Sequence, residues 1–172
     1  MRRVRYSVAM SLDGYIAGPQ GESDWIVMDP DLDFNALFTA FDTVLLGRIT
    51  YEVTRQPGSE GPAMPGMQTY VFSRTLRPED CPSVILSDDP KAIINDLKSK
   101  EGKDIWLFGG GSLFRSLLEF GLVDSVEVAI MPVLLGGGVS LLPPPAKLAK
   151  LKLTNHQVYE KTGTVILEYA VS

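Results

Sequence analysis

The sequence has little of what disulfide-bonded, metal-binding or membrane proteins need. It contains one cysteine, Cys81, and one histidine, His156. A lone cysteine forms no internal disulfide, which is typical of a reducing compartment, and these two residues do not make the zinc site of a nucleobase deaminase. No apolar run reaches the ~18 residues that cross a bilayer, and the N-terminus has no uninterrupted signal-peptide core. We therefore expect a cytoplasmic protein with no metal site and no membrane segment.

Basic stretches are also missing. Lys and Arg form no run or stripe, and the net charge is -5, so we expect no nucleic-acid partner, whose phosphates would need to be neutralised. With 45% hydrophobic and 22% charged residues, the composition is that of an ordinary globular protein. A chain of this size buries roughly 70% of its unfolded surface, which is enough for one core. We predict a single domain over residues 1–172.

Strand and helix signals alternate along the chain. Short apolar or alternating runs bounded by turn residues predict strands at 4–10, 43–47, 69–73, 83–86, 104–109 and 125–131. Helices are predicted after a cap at Asp88 or Asp89 and after a cap at Ser112. The C-terminal residues predict an antiparallel hairpin that turns near Gly163. Together these signals predict an α/β fold with a central, mostly parallel sheet, helices on both faces and an antiparallel C-terminal hairpin.

The stretch "FGGGSLF", residues 108–114, joins a predicted strand to a predicted helix. Three glycines leave the backbone N–H groups bare at the helix start, where the positive end of the helix dipole favours an anion such as phosphate. The stretch departs from the dinucleotide fingerprint of Rossmann folds, because Phe114 stands where the third glycine is required. A simpler interpretation is that the glycines serve only a tight turn. Both interpretations stay open from this stretch alone.

Two other strand ends favour the anion site. "LLGRITYE" ends a predicted strand at Gly47 and continues with Arg48 and Thr50. "YVFSRT" ends another strand at Ser73 and continues with Arg74. Each places a fixed positive charge and a hydroxyl at the carboxyl end of a strand, where the far half of a phosphate-bearing ligand at the glycines would lie.

In this order, the three strand ends resemble the dihydrofolate reductase-like superfamily over nearly the whole chain. The similarity consists of a Gly-Arg-x-Thr-aromatic-Glu motif at 47–52, a Pro-Gly at 65–66 followed by a short strand ending in Ser, and a strand that runs into three glycines at 109–111. The resemblance implies a single-domain dihydrofolate reductase-like fold, NADP(H) as the cofactor, and a cis peptide bond between Gly109 and Gly110. It also implies a set of cofactor-binding residues: Gly47, Arg48, Thr50, Ser73, Arg74, Gly109, Gly110, Gly111, Ser112 and Leu113.

The resemblance assigns different parts of the cofactor to these residues. Residues 110–113 would meet the pyrophosphate. Arg48, Ser73 and Arg74 would hold the adenosine end with its extra phosphate, and Thr50 would support the phosphate on the nicotinamide side.

Two further segments point to one branch of the superfamily. "SLDGYIAGPQGESDWI" (11–26) and "MPVLLGGG" (131–138) resemble the reductase domain of riboflavin biosynthesis, which reduces the ribose of a phosphoribosylaminopyrimidine, and the stand-alone proteins similar to it. Dihydrofolate reductases carry an arginine directly after the Pro-Gly, whereas this chain has Met67, which cannot pair with a carboxylate. The Asp-Asp-Pro substrate motif of the riboflavin branch is also replaced, by "YEVTRQPGSEGP".

The resemblance therefore implies an NADPH-dependent reductase that transfers a hydride to a small heterocyclic or ribosylaminopyrimidine-type substrate. Two alternatives stay open. The first is a dihydrofolate or pterin reductase, and the second is a non-catalytic module that only binds NADP(H).

Candidates on the substrate side are three acids and one aromatic residue. Asp13 follows the first strand and is our candidate for the polar group at the reacting centre, with an Asp-Gly turn as the alternative. Trp25 would cover the substrate or belong to the core. Asp31 and Asp33 would donate a proton or cap a helix. By resemblance we also expect a homodimer, with the apolar segment 132–145 as an interface or a covering loop.

Overall fold

The structure is a computed structural model that describes residues 1–56, 64 and 66–172. The main sheet of this described part has eight strands: β1 (Val4–Ser11), β3 (Phe41–Gly47), β4 (Gln68–Phe72), β5 (Ile85–Ser87), β6 (Asp104–Gly109), β7 (Ser125–Met131), β9 (Leu151–Tyr159) and β10 (Thr164–Val171). They lie in the order β5-β4-β3-β6-β1-β7-β10-β9. Neighbours from β5 to β7 run parallel, and β10 is antiparallel to both β7 and β9. The predicted strands are confirmed to within two residues at each end.

Helices cover both faces of the sheet, as predicted. Their bounds are α1 (Phe34–Thr39), α2 (Arg48–Thr54), α3 (Pro90–Ser99) and α4 (Gly111–Glu119). Ile94 of α3 and Leu117 of α4 are fully buried in one apolar core. Leu37 of α1 and Tyr51 of α2 belong to a second apolar cluster on the opposite face. None of the helices in the described part of the chain is long and apolar enough to cross a membrane.

The alternation of side chains along β1 assigns residues to the two faces. Val4 and Tyr6 are fully buried in the core beneath α3 and α4. Because successive side chains of a strand point to opposite faces, Arg5 and Ser7 belong to the other face. The guanidinium of Arg5 stacks there over the ring of Phe41, with its Cζ 4.8 Å from the ring centroid. That second face therefore carries polar groups beside its apolar cluster.

The start of α4 differs from the prediction. Ser112 was expected to cap this helix, but the helix begins at Gly111 and Gly110 occupies the cap position without a side-chain hydrogen bond. The reason lies in the first helical hydrogen bond, which Phe114 N donates to Gly110 O at 3.1 Å. Since the cap residue is the one whose carbonyl accepts that bond, Ser112 lies in the first turn. The cap at Asp89 is confirmed, because its carboxylate accepts a hydrogen bond from Ala92 N at 2.9 Å.

A second, two-stranded sheet was not predicted. It pairs β2 (Tyr15–Ala17) with β8 (Val139–Ser140). Strands of two or three residues carry no readable alternation. This small sheet holds the segment 132–145 against the start of α4, and Leu141 and Leu142 pack there on the main core. The segment therefore acts largely as a covering loop.

Candidate active site

A cleft of about 1750 Å³ begins at the carboxyl ends of β3, β4 and β6 and continues over the sheet face that carries Arg5. Carboxyl ends of parallel strands are where open α/β sheets bind ligands. Parts of the segment 21–29 and of α1 form the opposite wall. The cleft thus has two ends, which we call the glycine end, at the strand ends of β3, β4 and β6, and the acid end, over β1, β7 and β10.

Every residue predicted to bind the cofactor lines this cleft. The set comprises Gly47, Arg48, Thr50, Ser73, Arg74, Gly109, Gly110, Gly111, Ser112 and Leu113. The chain carries them in three separate stretches, and parallel pairing of β4, β3 and β6 brings those stretches to one edge of the sheet. The Pro-Gly of the motif is only partly observed, since Pro65 lies outside the described residues.

The glycines combine a bare helix start with close packing. The predicted cis bond between Gly109 and Gly110 is observed. The N–H groups of the first turn of α4 have no carbonyl one turn earlier to bond, and their residues line the cleft. A Cβ on Gly111 would lie 2.5 Å from Ser140 O and 2.8 Å from Pro143 Cδ, and one on Gly110 would lie 3.2 Å from Thr50 Oγ1. The close packing therefore supports the tight-turn interpretation, and the anion-site interpretation stays a prediction.

The two arginines at the glycine end are accessible. Arg48 forms a surface ion pair with Glu52 at 2.9 Å, and its side chain is 42% exposed. Pairs of this kind contribute little to stability, so an anion can compete for the guanidinium. Arg74 is exposed and follows Ser73, whose Oγ accepts hydrogen bonds from Thr75 N and Leu76 N at 3.1 and 3.0 Å. Ser73 thereby fixes the turn that presents Arg74.

Asp13 is not among the described residues that line the cleft. Its carboxylate accepts hydrogen bonds from Ser11 Oγ (2.6 Å), Gly136 N (2.7 Å) and Leu135 N (3.1 Å). The bond from Ser11, with those from the two N–H groups, lowers the pKa of Asp13, so the group is ionised at neutral pH. These contacts support the turn interpretation, and a role at the reacting centre stays a prediction.

The three other substrate-side candidates also lie outside the described lining of the cleft. Trp25 is half-buried and its Nε1 donates to Glu22 O at 3.0 Å. Asp33 caps α1 by accepting a hydrogen bond from Ala36 N at 2.9 Å. Asp31 pairs with Lys161 at 2.7 Å. The cap interpretation of Asp33 is thus observed, and contacts of all three with substrate stay predictions.

Sequence reasoning missed the acidic residues that do line the cleft. These are Asp29, Glu127 and Glu168 at the acid end, and Asp88 near the end of β5. A signal was present, since Arg5, Glu127 and Glu168 each stand between two apolar residues within a predominantly apolar strand. Charged residues at such positions are seldom buried unless they are paired or functional.

Asp29 ties the cleft wall to the C-terminal hairpin. Its Oδ2 accepts hydrogen bonds from Thr162 N (3.1 Å) and Thr162 Oγ1 (2.8 Å), and its Oδ1 accepts one from Asp31 N (2.9 Å). Burial opposes ionisation of this carboxyl, but these hydrogen bonds outweigh it and lower the pKa of Asp29. The segment 21–29 is therefore anchored at its end by an ionised carboxylate.

The strand order and the cleft at the strand ends define an α/β domain of the dihydrofolate reductase-like class. Within that class, the chain matches one known family. The chain belongs to the family described as the RibD C-terminal domain, whose model matches residues 2–165. By family and by fold it is similar to RibD-type reductase domains.

Individual relatives agree with this family. The uncharacterized protein YyaP of Bacillus subtilis strain 168 is 36% identical, over 98% of this chain and 94% of that protein. A crystal structure from Shewanella sp. PV-4, named for riboflavin biosynthesis, matches with a TM-score of 0.77 and 26% identity, over 100% of this chain and 99% of the other. Dihydrofolate reductase of Enterococcus faecalis, solved with NADP(H), is similar in fold alone, with a TM-score of 0.69 and 18% identity, over 99% of this chain and 96% of the other.

Proposed function

We propose that the protein is an NADPH-dependent oxidoreductase that transfers a hydride to a small heterocyclic or ribosylaminopyrimidine-type substrate. The observation that carries the proposal is the convergence of the ten predicted cofactor residues on one cleft. The family match and the NADP(H) bound to the dihydrofolate reductase of similar fold support it. The donor set also fits the cofactor, because helix-start N–H groups suit a pyrophosphate and guanidinium groups suit a phosphate monoester.

The proposed roles follow from position in the cleft. The N–H groups of residues 111–113 at the start of α4 would hold the pyrophosphate, and Thr50 would support it from α2. Arg48 and Arg74 would bind the adenosine end with its extra phosphate. When bound, the cofactor supplies the hydride, and the protein must orient the ring, exclude water and leave a proton source within reach. Trp106 and Phe108 provide apolar surface along the cleft for the first two tasks.

The cofactor assignment is tested by removing the two arginines. We expect Arg48→Ala with Arg74→Ala to weaken NADPH binding by roughly 10- to 100-fold, the scale of one or two charge-assisted hydrogen bonds. NADH binding should change much less, since NADH lacks the extra phosphate. Fluorescence titration and protection against thermal unfolding measure both ligands. Arg77→Ala is the matched control, because Arg77 is 76% exposed and does not line the cleft. Unchanged NADPH binding in the double variant would rule out the assignment.

The two alternatives make different predictions for turnover. Met67 packs against the second apolar cluster and is not among the described residues lining the cleft, so a folate glutamate tail finds no cation at that position. This disfavours the folate alternative. A non-catalytic module would bind NADPH, but neither a pteridine, dihydrofolate nor a ribosylaminopyrimidine would cause its oxidation.

We further propose a cytoplasmic homodimer. β9 is the edge strand of the main sheet, and Leu151, Leu153 and Val158 on it are 43%, 49% and 59% exposed. An exposed apolar edge invites pairing with another strand, and lysine opposes such pairing. Leu153→Lys should therefore lower the mass measured by light scattering from dimer to monomer. Leu12→Lys, at a residue 63% exposed elsewhere, should not; a monomeric wild type would contradict the proposal.

A further inference from the structure

Among the described residues, one cation, Arg5, lines the acid end of the cleft, and its guanidinium is paired with carboxylates. Arg5 Nε and Nη2 donate to the two carboxylate oxygens of Glu127 at 2.7 and 2.8 Å. Glu127 is 8% exposed, and Asp104 lies 3.5 Å from Arg5 Nη1. Two parallel hydrogen bonds between a guanidinium and a carboxylate form the strongest kind of side-chain pair. Arg5 therefore has little remaining capacity to bind a substrate anion.

Carboxylates dominate the rest of this surface. Ser7 of β1 pairs in register with Glu127 of β7, and Glu127 pairs in register with Glu168 of β10. In-register neighbours share one face of a sheet, so these three side chains stand in a row on the cleft floor. Asp29 lines the same end. Among the described residues, this end of the cleft is therefore lined by three carboxylates, Asp29, Glu127 and Glu168, and by one cation, Arg5.

Tyr159 lies near three carboxylates at this end of the cleft. Tyr159 lines the cleft, and its pKa is raised by burial first and then by the charges of Asp29, Asp31 and Glu168. A phenol is harder to ionise beside negative charge. A substrate phosphate in the same place would meet the same repulsion.

One further cation acts on these charges from outside the described lining of the cleft, since Lys161 pairs with Asp31 at 2.7 Å and helps to lower the pKa of Asp29. Within the described residues, the cations lining the cleft are Arg5, Arg48 and Arg74, and the last two lie at the glycine end. The residues outside the description, 57–63 and 65, include neither lysine nor arginine. Phosphate recognition needs guanidinium, ammonium or helix-start N–H groups. At the acid end, the guanidinium that lines the cleft is already held by a carboxylate. The start of α1, which lines the opposite wall, is already capped by the carboxylate of Asp33.

Resting on the proposed reductase function, we propose that the substrate is a neutral or cationic heterocycle without phosphate, and that Glu127 determines this specificity by neutralising Arg5. N–H groups of such a substrate would donate to the carboxylates of the floor. The phosphoribosyl compound used by the riboflavin-type reductases would be disfavoured for the same reason. Such specificity depends as much on the repulsion between the carboxylates and a phosphate as on the hydrogen bonds that the carboxylates accept from the substrate.

The test uses one compound in two states, 5-amino-6-(5-phosphoribosylamino)uracil and its phosphatase-treated form. For the wild type we expect kcat/KM with NADPH, and affinity by calorimetry without cofactor, to favour the phosphate-free form at least ~10-fold, the effect of about 1.4 kcal/mol. Glu127→Gln removes the charge that neutralises Arg5 and should shift that ratio at least ~10-fold towards the phosphorylated form. Glu79→Gln is the control, with the same charge change at a side chain 68% exposed outside the cleft.

Each outcome decides the question. A wild type that prefers the phosphorylated form, an unchanged ratio in Glu127→Gln, or no binding of either form overturns the inference. If Glu127→Gln does not fold, Glu168→Gln must move the ratio in the same direction by a smaller factor, and failure to do so also overturns it. Failure of NADPH binding would instead contradict the proposed function. The ratio of the two affinities measured without cofactor would still test whether the acid end prefers the compound without phosphate.

Discussion

The two ends of the cleft are built in different ways. The glycine end consists of backbone and of residues that immediately follow a strand, so each contribution is contiguous in the chain, as in residues 109–113. The acid end consists of single side chains from strands far apart in the sequence, such as Arg5 and Glu127, which are joined only by pairing of β1 with β7. Local motifs therefore reveal the first end, while the second becomes visible only after the strands are paired.

Charge separates the two ends as well. Exposed Arg48 and Arg74 stand at the glycine end, where a cofactor phosphate would compete with only a surface ion pair. At the acid end, the cation is half of a two-bond pair with Glu127, and Glu168 and Asp29 are added to it. Such a division suits an anionic cofactor at one end and an uncharged or cationic substrate at the other. Substitutions at each end of the cleft test this division of charge.

The largest effect is expected at the glycine end from Gly111→Ala. The new Cβ would lie 2.5 Å from Ser140 O, a backbone atom that can move only with the small sheet. Overpacking of this kind costs about 1–3 kcal/mol in the free energy of unfolding. Because the same shift moves the helix start, NADPH binding should weaken too. Denaturant unfolding and NADPH titration measure the two effects.

Gly137→Ala is the matched control for this substitution. A Cβ at Gly137 meets nothing within 4 Å, so its stability and NADPH affinity should stay close to those of the wild type. If Gly111→Ala were as stable as Gly137→Ala and still lost NADPH affinity, close packing would not explain Gly111, and the anion-site interpretation alone would hold.

The sheet could be predicted because short apolar runs bounded by turn residues indicate buried strands. The cis bond and the cofactor set were implied by the resemblance of three motifs to a family, and the cofactor set stays a prediction. The start of α4 was predicted two residues late because serine is a common cap, and only the hydrogen bond from Phe114 N shows that Gly110 holds that position. The acids that line the cleft could not be found by the same reasoning. Asp31 and Asp33 stood in a recognisable helix-start pattern, whereas the contacts of Asp29 with Thr162 join residues 133 positions apart.

A smaller effect is expected at the acid end from Asp29→Asn. The folded-state pKa of Asp29 lies below its ordinary value of 3.8, so its ionised form stabilises the fold above that pH and loses this contribution as the pH falls through the folded pKa. The variant should thus unfold at a lower temperature than the wild type at neutral pH, and the difference should shrink below pH 3.8. Calorimetry across this range measures it.

Asp13→Asn is the matched control for Asp29→Asn. The pKa of Asp13 is lowered as well, so both variants should lose stability with the same dependence on pH. Their kinetics should differ, because Asp29 anchors the wall of the cleft while Asp13 ties the turn after β1 to Gly136 outside it. We expect Asp29→Asn to raise KM for the substrate with NADPH affinity unchanged, and Asp13→Asn to leave both close to wild type. A large fall in kcat for Asp13→Asn alone would instead establish Asp13 at the reacting centre and make its turn contacts secondary.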